Sequence, residues 1–191
     1  MDAIFKGLLI LTLLSGSLSG CAYRVGVAKR SIPGGYKQIS IPIFKNRTQE
    51  VGIEMAFTNA LIQEFQRSRI ASIVDNSLSE VAIIGTIEAI QYLPGAKAIS
   101  GSSNYLPDGT VIATEYRILM TINVKLVRQA DGTALWAGSF IGERTYAAPQ
   151  VTLAGVNSVN PLYNLSARRQ NIDILAYDKM VEAHDRITEN F

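Results

Sequence analysis

The chain holds one cysteine, one histidine and one tryptophan in 191 residues. A lone cysteine excludes an internal disulfide framework and every zinc site built on several cysteines. A lone histidine excludes a multi-histidine metal centre and leaves little for a conventional catalytic triad. An excess of one charge is also missing, since 18 Lys+Arg stand against 16 Asp+Glu for a net charge of +2. A general nucleic-acid binder needs a stronger basic surplus. The apolar run from Leu8 to Leu14, broken by Thr12, falls far short of the ~20 residues that cross a bilayer as a helix. The sequence has no phosphate-cradling loop ending in Gly-Lys-Ser/Thr, no dinucleotide-binding glycine fingerprint and no Gly-x-Ser-x-Gly nucleophile turn. These absences point away from an enzyme and from any cofactor. At 48% hydrophobic residues, the chain still has enough apolar content for a folded core.

What is present begins at the N-terminus. Lys6 precedes the apolar run, and small residues lead to Leu18-Ser19-Gly20-Cys21. This ending resembles the lipobox of bacterial lipoproteins. The resemblance implies a diacylglyceryl thioether on Cys21, cleavage before it and acylation of the new amine. Acyl chains contribute ~0.8 kcal/mol per buried methylene, so several together give a firm anchor. Ala22 follows the cysteine; the lipoprotein sorting rule then implies the outer membrane, with the domain on its periplasmic side. The expected organisation is a signal peptide at 1–20, a lipidated connector at 21–36 and a single domain at 37–191.

Within the domain, residues 37–44 alternate, with Ile39, Ile41 and Ile43 on one side, and read as a strand. Pro42 suits an edge or an end. Asn46-Arg47-Thr48 is turn chemistry, with Thr48 a candidate N-cap. A helix is expected over 51–67, carried by Ile53, Phe57, Leu61 and Phe65. Strands follow at 70–74 and 81–91, then a loop at 94–109. The clearest strand, 114–128, points Tyr116, Ile118, Met120, Ile122, Val124 and Leu126 one way and Arg117, Leu119, Thr121, Asn123 and Lys125 the other. Asp131-Gly132 closes a hairpin into a strand at 134–146. Residues 147–171 show no period, and a last helix spans 172–188. The order implies an α+β two-layer sandwich, with two helices packed on one face of a mixed, mostly antiparallel sheet of four to five strands.

Few residues offer chemistry. His184 lies among Glu182, Asp185 and Arg186 and reads as a surface helix residue. Glu88 and Glu115 could face one another across strands as an acid/base pair, although a solvated sheet face is the better account. From Cys21 to Gln49 the chain carries Arg24, Lys29, Arg30, Lys37, Lys45 and Arg47 with no acid. That stretch suits anionic headgroups, an anionic ligand or partner, or a plain solvated arm.

Several ordered segments resemble a known family. They are Cys21-Ala22-Tyr23-Arg24-Val25, the run from Ile39 to Thr48, Gly52-Ile53-Glu54, the run from Thr114 to Val124, Asp131-Gly132 and Leu135-Trp136. Together they resemble the lipopolysaccharide-assembly lipoproteins of the LptE family. The resemblance implies a two-helix, four-stranded sandwich that plugs the outer-membrane β-barrel LptD, helps assemble it and contacts lipopolysaccharide, without catalysis. Residues 147–171 are longer than the family usually carries before its last helix, and no basic loop here matches the lipopolysaccharide-linked one of well-known members. The implied partners are an LptD-like barrel, lipopolysaccharide and the membrane through the lipid anchor, with no nucleic acid. Barrel contacts are expected from 94–109 and 147–171. Arg117 and Lys125, on one polar strand face, are the candidate lipopolysaccharide contacts. Two other classes stay open: a tethered periplasmic activator of a cell-wall synthase, and a periplasmic enzyme. The first usually needs a long flexible linker, whereas here the first strand starts about 17 residues after Cys21, a reach of at most roughly 60 Å.

Overall fold

The computed structural model describes residues 30–99, 111–113, 115–147, 151–153, 156–158 and 161–189. Three antiparallel neighbours of 14 residues each form the body of a sheet: β4 (Val81–Pro94), β7 (Glu115–Arg128) and β8 (Ala134–Ala147). Strict alternation builds them. Ile118, Met120, Ile122, Val124 and Leu126 of β7 are buried at 0–1% exposure, while Arg117 and Lys125 point the other way. The first half of the free side of β4 is met by two short parallel strands. β1 (Gln38–Ser40) pairs at Val81–Ala82, and β2 (Lys45–Asn46) rejoins at Thr86–Ile87. β3 (Ser72–Ile73) lies parallel outside β1. The result is a mixed six-stranded sheet in the order β3-β1-β4-β7-β8, with β2 also on β4.

Two helices cover one face, so the sandwich inferred from the sequence holds, with one strand more than expected. α1 (Ile53–Ser68) directs Ile53, Phe57, Leu61 and Phe65 into the core. α2 (Pro161–Thr188) adds Ile172, Leu175, Ala176, Met180, Ala183 and Ile187. Each such large side chain, once buried, contributes ~1.5–3 kcal/mol.

Several expectations need correction. Residues 37–44 are not one strand. Ile39 and Ile41 face inward, but Ile43 is 61% exposed and Phe44 is buried. Pro42 has no N–H for a ladder, and the backbone bulges between β1 and β2, which shifts the inward position by one residue. Phe44 is then fixed from two sides: its N–H donates to Thr58 Oγ1 (3.0 Å), and its ring lies against Gly85, where an added Cβ would fall 2.1 Å from the ring. Thr48 does not cap α1. It closes a turn on Asn46 Oδ1, and the cap position is Gly52 at φ 83°. Residues 94–109 are not a plain loop, because β4 runs through Pro94 and β5 (Lys97–Ile99) pairs with β6 (Val111–Ala113); residues 100–110 lie outside the described residues. Nor is 147–171 structureless. It holds the hairpin β9 (Val151–Leu153) and β10 (Val156–Ser158), and α2 begins within it at Pro161. Proline is favoured at a helix's first position, but the turns that follow are too polar for a core period to be visible.

The start of the described chain is held at the C-terminal end of α2. Ser31 N–H donates to Thr188 O at 3.1 Å, and Arg30 pairs with Asp185 at 2.7 Å. α2 rises ~1.5 Å per residue, so its 28 residues place its N-terminal end roughly 42 Å away.

Candidate functional site

Because both helices lie on one face, the other face of β4, β7 and β8 is uncovered among the described residues. Odd-numbered residues of β7 line it. Register places Gln91 and Leu93 of β4 on one flank and Ile141, Glu143 and Thr145 of β8 on the other. Its chemistry is mixed. Ile141 is 71% exposed and Leu93 40% exposed, in the midst of polar neighbours. Arg117 pairs across strands with Glu143 at 3.3 Å.

Alternation puts Glu88, like Ile84 and Thr86, on this face; the β-bulge between Ile87 and Ala89 shifts the phase beyond it, so that Ile90 and Tyr92 turn to the covered face. Glu88 accepts from Arg47 Nη1 at 2.8 Å and from Asn123 Nδ2 at 3.2 Å. The Arg47 hydrogen bond holds its carboxyl below the usual range, with Asn123 and the positive fields of Arg47 and Lys125 adding to it. Positive and negative groups therefore alternate over the face.

At the end of the sheet away from the Asp131-Gly132 turn, the covered face carries an aromatic and polar cluster. Tyr116 and Tyr146 have ring centroids 5.8 Å apart. The Arg168 guanidinium lies 5.1 Å above the centre of the Tyr92 ring and 3.3 Å from Glu50 Oε1. The Tyr92 hydroxyl is buried. Burial and then the nearby Glu50 push its ionisation far up, yet no group among the described residues reaches it in hydrogen-bond geometry. The polar first turns of α2 thus cover tyrosines, where the later turns cover aliphatic core. Arg144 Nε, donating to Asn171 Oδ1 at 2.7 Å, ties the same stretch to β8.

The residues singled out from sequence are distributed as follows. Cys21 and residues 1–20 lie outside the described residues. Arg117 and Lys125 share the uncovered face, but eight positions apart on one strand, roughly 26 Å at ~3.3 Å per residue, and Arg117 is already paired. Glu88 and Glu115 do not form an acid/base pair: Glu88 sits at the bulge with Arg47, while Glu115 lies at the far end of β7 opposite Gly95. Of the basic stretch, Arg30 and Arg47 are engaged in ion pairs.

His184 is the clearest correction. It is not a surface residue but is 0% exposed, clamped between the helices. Nε2 lies 2.8 Å from Ser68 Oγ, Nδ1 lies 3.3 Å from Asp185 Oδ1, and the ring meets Phe65 edge-on at 4.7 Å. Burial pushes its pKa down, against the upward pull of Asp185 and Glu64. Its charged sequence neighbours concealed it, although spacing from Met180 and Ile187 puts it on the inner stripe. Sequence reading also missed the Tyr92, Arg168 and Glu50 cluster, whose members come from three separate segments.

Comparison with curated proteins finds no match. Among solved structures, a putative lipoprotein from Caulobacter crescentus CB15 is similar at 10% identity, over 75% of this chain and 86% of that one, with a TM-score of 0.47. The PelC dodecamer from Paraburkholderia phytofirmans shares 11% identity over 81% and 90%, with a TM-score of 0.47. A minor lipoprotein from Acinetobacter baumannii shares 12% over 80% and 90%, with a TM-score of 0.45. The sequence profile "LptE: Lipopolysaccharide-assembly" matches residues 36–189. That match runs from just before β1 to the end of α2 and takes in every strand and both helices. The chain belongs to the LptE family.

Proposed function

We propose that this chain is an outer-membrane lipoprotein, acylated at Cys21, that plugs an LptD-type β-barrel and helps assemble it for insertion of lipopolysaccharide into the outer leaflet. Its role is structural and needs no catalytic set. The observation that carries this reading is the uncovered sheet face in a chain of the LptE family. Ile141 and Leu93 expose apolar surface within it, while Arg117–Glu143 and Arg47–Glu88 neutralise its charge in pairs. Such a surface suits the polar interior of a large barrel.

Photocrosslinkers at Leu93 and Ile141 test this, with Tyr177, half exposed on α2, as the opposite-face control. Adducts with the barrel from the first two and none from Tyr177 support the reading. Adducts from Tyr177 alone would move the interface to the helical layer. Capture of a cell-wall synthase would favour the tethered-activator role instead.

Weak lipopolysaccharide binding is proposed at Arg117 and Lys125, each acting on a separate phosphate because of their separation. Arg117 then exchanges Glu143 for phosphate, to which its guanidinium fork is well matched. Removing both charges (Arg117→Ala with Lys125→Ala) lowers lipopolysaccharide retention, and salt weakens the wild-type interaction, since exposed charges are screened over ~8 Å at physiological ionic strength. Unchanged retention in that variant would move the contact to the basic stretch between Arg24 and Arg47.

A further inference from the structure

The outer edge of β8 is the longest strand edge left unpaired among the described residues. Antiparallel pairing alternates hydrogen-bonded and non-bonded partners, so two bonds fix the whole pattern. Gln129 N–H donates to Glu80 O, and Gly95 N–H donates to Glu115 O. Odd residues of β7 therefore bond toward β4, and even ones toward β8. The register pairs Tyr116 with Tyr146, Ile118 with Arg144 and so on to Leu126 with Trp136. Even residues of β8 thus spend their backbone groups on β7. Ala137, Ser139, Ile141, Glu143, Thr145 and Ala147 turn N–H and C=O outward, and no strand among the described residues pairs with them.

Long edges are normally defended by proline, lysine or a bulge. From Ala137 to Ala147 there is no proline and no lysine, the register is unbroken, and the two charges present are engaged within the fold, Glu143 with Arg117 and Arg144 with Asn171. All six outward residues are exposed. The competent edge is 11 residues long, which matches the ~9–11 residues of a membrane-spanning β-strand.

We propose that the outer edge of β8 accepts an extended strand of the barrel polypeptide by main-chain pairing, before that barrel's sheet has closed. The proposal rests on the plug-and-assembly reading above and gives its assembly half a surface. A closed barrel has no free edge, so only an unclosed one offers a strand to pair. Main-chain bonds supply the affinity in such strand addition, while the uncovered face serves the finished complex. Closure removes the partner's edge and releases β8.

The test compares Ser139→Pro with Ser139→Ala in the mature chain, each added to urea-unfolded barrel polypeptide refolding into detergent. Proline removes one outward N–H that makes no bond among the described residues; alanine keeps it. The compact barrel form on unheated SDS gels appears several-fold more slowly with the proline variant than with the alanine variant. Equal rates for two folded variants would overturn the proposal. Should circular dichroism find Ser139→Pro misfolded, residue-level hydrogen exchange on the wild-type chain decides. The amides of Ser139, Ile141, Glu143 and Thr145 gain protection during refolding, while their even-numbered neighbours are protected throughout. Uniform change, no change, or the same gain in the chain alone, as a dimer through β8 would give, overturns it. Failure of Leu93 to crosslink to the closed barrel counts against the plug reading alone, and the amide alternation still decides the edge.

Discussion

Replacing Gly85 by alanine tests how β2 is held to the sheet, and through it how the uncovered face is set. An added Cβ would lie 2.1 Å from Phe44 Cε2 and 2.3 Å from Cδ2 and Cζ. Carbon atoms rest at ~3.5–4.0 Å, so the ring must retreat by ~1.5 Å. It has little room to do so. Phe44 is 2% exposed, its ring stacks on Phe57 at 6.4 Å, and its backbone is bonded to Thr58. Overpacking of this kind costs ~1–3 kcal/mol, offset by ~0.4–1 kcal/mol because alanine restricts the unfolded chain. The net loss is then about 1–2 kcal/mol. At ~2–4 °C per kcal/mol for a domain of this size, thermal melts followed by circular dichroism fall by roughly 2–8 °C. Phe44→Leu in the Gly85→Ala background recovers part of the loss, so a double-mutant cycle shows coupling of ~1 kcal/mol. Arg47, one residue beyond β2, loses its hold on Glu88 in the single variant, and the Glu88 carboxyl then titrates closer to its ordinary range. A Gly85→Ala protein as stable as wild type, or strict additivity in the cycle, would refute the reasoning.

Burial lowers the His184 pKa in the folded state, so the unfolded chain, at ~6.5, binds the proton first. Stability on this account is full above ~6.5 and declines as pH falls below it. Urea titrations of wild type and His184→Gln between neutral and mildly acidic pH check this: the wild-type slope in that window flattens in the variant, and parallel slopes would assign it to other groups. Mass spectrometry of the mature N-terminus finds acylated Cys21 with residues 1–20 removed, and Cys21→Ser accumulates uncleaved precursor. A processed but unmodified cysteine would end the lipoprotein assignment.

The periodic elements were legible because one physical rule governed each. In β7, five inward residues alternate with mostly polar ones, and in α1 Ile53, Phe57, Leu61 and Phe65 recur every four. Burial against a single opposing layer is enough to set such patterns. Where two demands competed, the pattern misled. Between Ile39 and Phe44 the alternation suggests one strand, but Pro42 and the contact of Phe44 with Gly85 break it into two. At Thr48, cap chemistry was present but was used by the Asn46 turn. The first turns of α2 face tyrosines and Glu50 rather than aliphatic core, so their inner side is polar and has no hydrophobic period to read.

Length, the lipobox resemblance, the helix stripes, the alternation of β7 and the family resemblance were all contained in the order of residues, because each depends on neighbours within a few positions. Which sheet face remains uncovered, how Arg47 reaches Glu88, what His184 meets on its inner side and which edge of β8 stays unpaired were decided only by the tertiary structure. Each of these depends on groups brought together from distant segments: 41 residues separate Arg47 from Glu88, and 116 separate Ser68 from His184. Local periodicity states which side of an element is apolar, but only the packing of helices on one face and the ordering of strands determine what that side meets and which surface is left for a partner.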